Sequence, residues 1–366
     1  MNSVIVSLLQ HFINHGYQAY IVGGFVRDVV NGIASADIDI ATDATPDQVQ
    51  QLFTKTIDVG AMHGSLKVEF EGSFFDITTF RVDGDYANHR HPEHVEYGHD
   101  LDMDVRRRDF TMNGLAMNIE GKVIDYVDGQ ADIKQQVIRA IGNPHQRMQE
   151  DALRIVRALR FVSQLGFTIE ETLWQAIIDH QLLVDHVSIE RVQMELKKLC
   201  KGPYLNKVNP YLSKLSMSYV PRHVVEDSSL SFIEQLAIAH MTNHLDSLPF
   251  ALSKQERNLL SYLIQLPKQS PDRYTLYCSM NVASMIQVGR HVYGWDEDAL
   301  FDVYESLAIR SRQQLAIRGD EIQALGITGK MIEDTLTTLE RLVVEEKIAN
   351  RYDELMASIK EMHDEN

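Results

Sequence analysis

The chain has 366 residues, with 35 Lys and Arg against 52 Asp and Glu and a formal net charge of −17. That length allows about two to four domains with real cores, and the negative balance speaks against a broad basic surface for nucleic acid, because phosphate contacts need Lys and Arg. Cys200 and Cys278 stand far apart in no metal-ligand spacing, which argues against a disulfide framework or zinc knuckle and fits a reducing, cytoplasmic setting.

In chain order, the opening MNSVIVSLLQHFINHGY reads as an amphipathic helix; it lacks the basic n-region and small-residue cleavage site of a signal peptide. No run of about 18 apolar residues exists to span a membrane. Residues 17–22 form a short β-rich run, Gly23-Gly24 breaks it, and residues 25–31 read as helix. Residues 38–41, 66–70 and 74–80 read as strands, with Gly72-Ser73 marking a hairpin turn between the last two. Residues 83–100 are polar, hold His89, His91, His94 and His99 with Pro92, and read as a mobile loop. The irregular histidine spacing, with no cysteine to help, favours a solvated loop over a zinc site. Residues 116–119 and 123–126 flank Glu120-Gly121, a second hairpin signal. From Pro144 the pattern turns helical, with Leu153, Val156, Leu159 and Val162 at helical spacing. Beyond Ser188 nearly everything reads as helix, broken by prolines. The fold class expected is α+β: a mixed-sheet head, then a long all-helical arm.

The chemistry starts at Asp37-Ile38-Asp39. In a strand, residues i and i+2 share a face, so two carboxylates project side by side. Their repulsion is costly unless a cation sits between them, and Mg²⁺ prefers a few carboxylates plus substrate phosphates. A lone D-x-D also fits a polar strand edge. About a dozen residues upstream, Gly23-Gly24 at a strand-to-helix turn lets backbone N–H groups of Gly24 and its neighbours approach a triphosphate. Arg27 can add a charge-assisted contact. Asp76, in the strand FFDITTF, is either a third carboxylate for in-line displacement and proton acceptor for an attacking hydroxyl or an ordinary strand residue. The segment from Arg139 to Arg160 carries five arginines against Glu150 and Asp151, a basic island in an acidic chain.

YIVGGFVRDVVNG…DIDIATDATPDQVQQLF resembles the head motif of class II tRNA nucleotidyltransferases and bacterial poly(A) polymerases, within the polymerase-β superfamily. The resemblance continues in order through DVRRRDFTMNGLAMN, IDYVDGQADI, EDALRIVRALRF and SIERVQMELKKL, covering residues 17–200 densely. One departure is Asn113-Gly114, where the family usually has Asn-Ala. The resemblance implies a polymerase-β-like catalytic head over 1–140, a helical neck that recognises the base over 141–200, and a helical body and tail that bind tRNA over 201–366. It implies Mg²⁺ held by Asp37 and Asp39, and nucleotide contacts from Arg108, Asp151, Arg154, Arg157 and Arg160. Asp151 and Arg154 are three apart, neighbours on a helix. A carboxylate accepting the exocyclic amine of C or A, beside a guanidinium donating to the ring acceptor, imitates a Watson–Crick edge. U and G present the reverse pattern, and each mismatch strands a desolvated group at a cost of about 1–3 kcal/mol. Arg157 and Arg160 also fit a solvated helix face, or ion pairs with Asp151 or Glu150 that orient the base-reading pair. Asp109 is expected to orient arginines or cap a turn, and Asn113 to read a ribose hydroxyl.

By the same resemblance, residues 83–100 match the loop needed for the switch from C to A, with Arg90 a candidate contact. Gly326-Ile327-Thr328-Gly329-Lys330 opens a helix that could hold an RNA phosphate or simply carry glycine caps. The function implied is template-independent addition of C, C and A to the 3′ end of tRNA, with CTP, ATP and the acceptor and T arms of tRNA as partners, no membrane, and a monomeric or homodimeric enzyme. The rivals are a poly(A) polymerase, an enzyme adding only CC or only A, and a non-catalytic RNA-binding protein of the same fold. The non-basic end KEMHDEN and the presence of the 83–100 loop favour complete CCA addition by resemblance.

Overall fold

The computed structural model describes residues 3–35, 38–60, 64–83, 86–87, 91–92 and 95–364. The chain divides into two compact units, one of residues 1–229 with 245–251, the other of residues 230–244 with 252–366.

The first unit opens with α1 (Ser3–Asn14), whose Ile5, Leu8, Leu9 and Phe12 bury one helical stripe. Then follow β1 (Ala19–Val22), α2 (Gly24–Val30), β2 (Asp39–Thr42), α3 (Pro46–Leu52), β3 (Thr56–Gly60), β4 (Ser65–Phe70) and β5 (Ser73–Thr79). Thr45 and Gln48 close a capping box on α3, whose first helical residue is Pro46. β6 (Arg81–Asp83), β7 (Tyr86–Ala87), β8 (His91–Pro92) and β9 (Val95–Tyr97) lead to α4 (Leu101–Arg106), β10 (Leu115–Met117), β11 (Val123–Asp125), α5 (Gly129–Gln135) and β12 (Val137–Ile138). One sheet runs β11-β10-β1-β2-β5-β4-β3. Within this sheet, among the described residues, only β2 and β5 pair parallel, which sets Asp39 opposite Asp76 in register.

The turn between β4 and β5 is Glu71-Gly72, both at positive φ (46° and 77°), one residue before the expected pair. Such a turn matches the right-handed twist of the strands. Within 83–100, read as a loop, the described backbone pairs antiparallel: β6 with β9 and β7 with β8. His89, Arg90 and His94 lie outside the described residues.

The helical part of this unit holds α6 (Pro144–Glu150), α7 (Leu153–Leu165), a short β13 (Thr168–Ile169), α8 (Glu171–His180), α9 (Ile189–Cys200) and α10 (Leu205–Leu212). α7 is its axis, buried on nearly every side, with Arg154 and Arg160 among the buried residues. The second unit is all helix among its described residues: α11 (Phe232–Met241), α12 (Lys254–Leu263), α13 (Arg273–Tyr277), α14 (Val282–Tyr293), α15 (Glu297–Glu305), α16 (Gly319–Ala324), α17 (Lys330–Val344) and α18 (Tyr352–Asp364). Ser231–Glu234 and Ser253–Glu256 capping boxes start α11 and α12. Leu336, Leu339 and Val343 of α17 meet Leu355 and Ile359 of α18 in a core with Ile309 and Ile317. Gly326 and Gly329 precede α17 with positive φ. The α+β class is as expected from the sequence. Among the described residues no helix is long and apolar enough to cross a membrane.

Candidate active site

Asp39 is the first residue of β2, one position later than the strand expected. Asp37 lies outside the described residues, and Ile38 is half-buried outside any strand. The carboxylate of Asp39 faces the N-cap of α2. A Cβ built on Gly23 would stand 3.8 Å from Asp39 Oδ2 and 3.5 Å from Arg108 Nη1. Gly23 has φ 70° and ψ −133°, a conformation that L side chains rarely adopt. Glycine thus keeps open a hollow between a carboxylate and a guanidinium. Asp76 sits beside Asp39 on β5 and contacts Lys67 Nζ at 3.5 Å with its carboxylate half-exposed.

Arginines close the other walls. Buried Asp104 on α4 clamps two of them: Oδ1 accepts from Arg107 Nε and Nη2 at 2.9 and 2.6 Å, and Oδ2 from Arg108 Nε and Nη2 at 3.2 and 2.9 Å. Burial alone would raise the Asp104 pKa, but the two guanidiniums hold it below the ordinary carboxylate range. Arg27 donates to Asp28 Oδ1 at 2.6 Å and to Asn113 Oδ1 at 2.9 Å, and Asn113 Nδ2 donates to Asp109 Oδ1 at 3.2 Å. Asn113, which also lines the cleft, is therefore a strut between Arg27 and Asp109. Asp109 Oδ2 takes Arg157 Nε and Nη2 at 2.8 and 2.6 Å. Burial would push the Asp109 carboxyl up; the Arg157 charge, with hydrogen bonds from Arg157, Asn113 and the Phe110 N–H, holds it at about 2.

The pair expected to read the base does not share a helix. Asp151 is the C-cap of α6, with φ −147° and ψ 100°, and α7 begins only at Leu153. The extended residue lets Asp151 Oδ1 accept from Leu153 N at 3.1 Å while Oδ2 accepts from Arg191 Nη2 at 2.7 Å. Arg154, on the first turn of α7, donates through Nη1 to Glu150 Oε2 and Arg147 O at 2.8 Å each, and through Nη2 to Arg107 O at 3.3 Å. Arg147 reaches the backbone oxygen of Arg106 in the same way. The two halves of the edge are thus fixed independently, one to α9 and one to α6 and the end of α4. Arg160 contacts Glu195 at 3.0 Å. Arg160 makes a buried ion pair and Arg157, half-buried, pairs with buried acids; their ion-pair partners are Asp109 and Glu195, not Asp151 or Glu150.

One cleft of about 770 Å³ collects these groups. Gly24, Arg27, Asp39, Arg108, Asp151, Arg154, Arg157 and Arg160 all line it, whereas Asp76 is not among its lining residues. Among the described residues, nine cationic side chains face it against three carboxylates, which suits it to a polyanion inside an acidic chain. Sequence reading missed Arg81, Arg107, Arg191 and Lys198 on its walls, and Asp104 and Glu195 behind them. The signal for Asp104 was its i+3 and i+4 spacing to Arg107 and Arg108. Arg191 pairs with a residue 40 positions away and had no local signal. The hard carboxylate oxygen of Asp39, facing a hollow a side chain at Gly23 would fill, fits a divalent cation carried on a triphosphate.

Residues 19–139 match the family described as the poly A polymerase head domain, residues 166–214 that of the RNA and SrmB binding site of polymerase A, and residues 237–359 that of tRNA nucleotidyltransferase domain 2. A CCA-adding enzyme of Geobacillus thermodenitrificans is 35% identical over 97% of this chain and 96% of its own length. That of Bacillus subtilis is 36% identical over 94% of each. A crystal structure of the Bacillus stearothermophilus CCA-adding enzyme in complex with CTP superposes with a TM-score of 0.84 at 30% identity, covering 99% of this chain and 98% of that one.

Proposed function

This chain belongs to the family of CCA-adding enzymes, and we propose that its cleft seats CTP or ATP with the triphosphate toward Asp39 and the base toward Asp151 and Arg154. It adds C, C and A to the 3′ end of tRNA, releasing pyrophosphate at each step. The observation that carries the reading is that Asp39, Asp151 and Arg154 line a single cleft.

A divalent cation accompanies this family's chemistry, and Mg²⁺ suits the carboxylates of Asp37 and Asp39. Asp37 and Asp39 would hold the ion, whose chemistry when bound would be to offset negative charge on the triphosphate and the departing pyrophosphate. The chain's own groups do the rest. Gly23-Gly24 admits the phosphates closely. Arg108, oriented by Asp104, stands at the rim of the Asp39 hollow and neutralises phosphate charge. Asp76, next to Asp39 in register, accepts the proton of the 3′-hydroxyl as that oxygen attacks the α-phosphorus in line. A carboxylate has about four lone-pair sites, so Asp151 can accept the exocyclic amine of C or A while holding Arg191 and Leu153 N. Arg154 donates to the ring nitrogen beside it. U and G offer a carbonyl to Asp151 and an N–H to Arg154, two mismatches at about 1–3 kcal/mol each. Residues 141–200 supply this edge, and residues 201–366 grip the tRNA by shape and backbone.

The test is incubation of tRNA lacking its CCA end with CTP and ATP, singly and together. CTP alone gives two additions, and both nucleotides give three and then stop. Asp39→Ala is expected to abolish incorporation and leave tRNA affinity nearly unchanged. Unlimited A addition would mark a poly(A) polymerase, and normal turnover of Asp39→Ala would remove the catalytic site proposed.

A further inference from the structure

Three guanidiniums of the cleft crowd around one aromatic ring. The Cζ atoms of Arg160, Arg27 and Arg157 lie 4.1, 5.3 and 5.9 Å from the centroid of Phe161. They come from different places: Arg27 from α2, Arg157 and Arg160 from α7. The ring is buried and lines the cleft. Phe110, next to Asp109, meets it edge to face at 5.8 Å and 88°, which fixes its orientation. Like charges this close repel, and carboxylates answer only in part. Asp28 holds Arg27, Asp109 holds Arg157, and Glu195 touches Arg157 and Arg160 at 3.5 and 3.0 Å. Arg160 is the least satisfied: its Nε is buried with no hydrogen-bond partner, and Glu195 Oε2 meets it without hydrogen-bond alignment. Burial, with Arg157 and Arg27 nearby, pulls the Arg160 pKa down to about 10. A ring face carries negative electrostatic potential and attracts guanidinium.

We propose that Phe161 is a positioning residue for the nucleotide: its π face gathers Arg27, Arg157 and Arg160 into one cationic wall that binds the triphosphate common to CTP and ATP. This rests on the cleft being the nucleotide site. It assigns the phosphate half of recognition to the ring and leaves the choice of base to Asp151 and Arg154. Of the acids that steady the three guanidiniums, Asp109 lines the cleft, while Asp28 and Glu195 stand behind it, so the wall presents mainly donors, with one carboxylate among them.

The test uses full-length protein with phenylalanine at 161 replaced by its 4-fluoro, 3,5-difluoro and 3,4,5-trifluoro analogues. Fluorine drains the ring's quadrupole with little change of shape. The expected result is a stepwise rise in KM for CTP and ATP together, reaching about five- to tenfold at three fluorines. The inhibition constant of inorganic pyrophosphate rises in parallel. KM for tRNA and discrimination against UTP and GTP stay constant. Phe161→Leu, which deletes the π face, should exceed the trifluoro effect, and Phe161→Tyr should recover most of it. A flat KM series across the fluorinated proteins, or Leu and Tyr variants with equal KM, overturns the proposal while CCA addition continues. Failure of the nucleotide-site reading looks different: the unsubstituted enzyme would not incorporate CTP or ATP at all.

Discussion

Replacing Asp109 with asparagine tests the buried ionic frame behind the cleft. The carboxylate is 8% exposed and accepts four hydrogen bonds, two from Arg157 and one each from Phe110 N and Asn113. Its pKa falls from the ordinary 3.8 to about 2 on folding. At 1.36 kcal/mol per pH unit the charged form gains about 2 to 3 kcal/mol from the fold. Breaking a buried pair by removing one partner costs about 3–5 kcal/mol; Arg157 keeps Glu195 at 3.5 Å, so the lower figure is expected for Asp109→Asn at pH 7. Because the folded pKa is depressed, this stabilisation is complete well above the unfolded value of 3.8 and is lost progressively as pH falls from there through about 2. The stability gap between wild type and variant should therefore be level from pH 8 to 5 and narrow below about pH 4. Urea unfolding followed by Trp174 fluorescence in a Trp295→Phe background reports on the first unit alone, since Trp174 lies in α8. Nucleotide KM should rise at the same time, because Arg157 loses its anchor. A variant as stable as wild type at pH 7, or a gap that changes between pH 8 and 5, would refute the argument.

Arg191→Met removes the 2.7 Å contact that steers Asp151 Oδ2. Both side chains are about a quarter exposed, so the loss is worth about 0.5–1 kcal/mol, and misincorporation of UTP relative to CTP should rise about two- to fivefold in single-turnover assays. An unchanged ratio would mean that Arg191 does not orient Asp151 for the base reading proposed for it. At Gly114, a Cβ would meet Val127 Cγ2 at 2.8 Å and Ile141 Cδ1 at 3.0 Å. Gly114→Ala should therefore destabilise the first unit by about 1–2 kcal/mol, with Val127→Ala in the same chain recovering most of it; equal Tm for Gly114→Ala and wild type would contradict this.

The Gly114 case shows how far one sequence could be read. Glycine there departs from the family's usual alanine and looks like a local weakness. The structure gives it a reason: Val127 and Ile141 already occupy the space a methyl group would need. Neighbours 13 and 27 positions along the chain cannot be inferred from a propensity. Elements with strong periodicity were legible, among them α1, β4, β5 and α7. β3 was not, because TIDVG alternates over only five residues and leaves Ile57 exposed at the sheet edge, and neither was α4, whose six residues LDMDVR are too few to show helical periodicity. Asp151 lines the same cleft as Arg154 but stands at the C-cap of α6, not on the helix the spacing suggests. Helical spacing runs unbroken from Glu150 to Arg160, and nothing in the residue types announces the extended backbone at 151. The cleft arginines were found by motif, while their anchors, Asp104 and Glu195, passed as surface acids.

Those anchors also resolve the conflict between a net charge of −17 and a polyanionic substrate. Charge acts locally: at physiological ionic strength exposed charges are screened beyond about 8 Å, so acids on distant faces do not cancel nine cations lining one hollow. Buried carboxylates beside those cations lie within that range and do. Yet Asp104 spends its two oxygens on Arg107 and Arg108, and Asp109 spends one on Arg157. Each acid fixes a guanidinium's rotamer and costs the site part of its charge. A row of unanchored arginines would carry a larger positive potential, but every one would have to be ordered by the incoming nucleotide at its own entropic cost. The chain instead gives up some attraction for a wall already set before the substrate arrives, which is the arrangement electrostatic catalysis on a triphosphate requires.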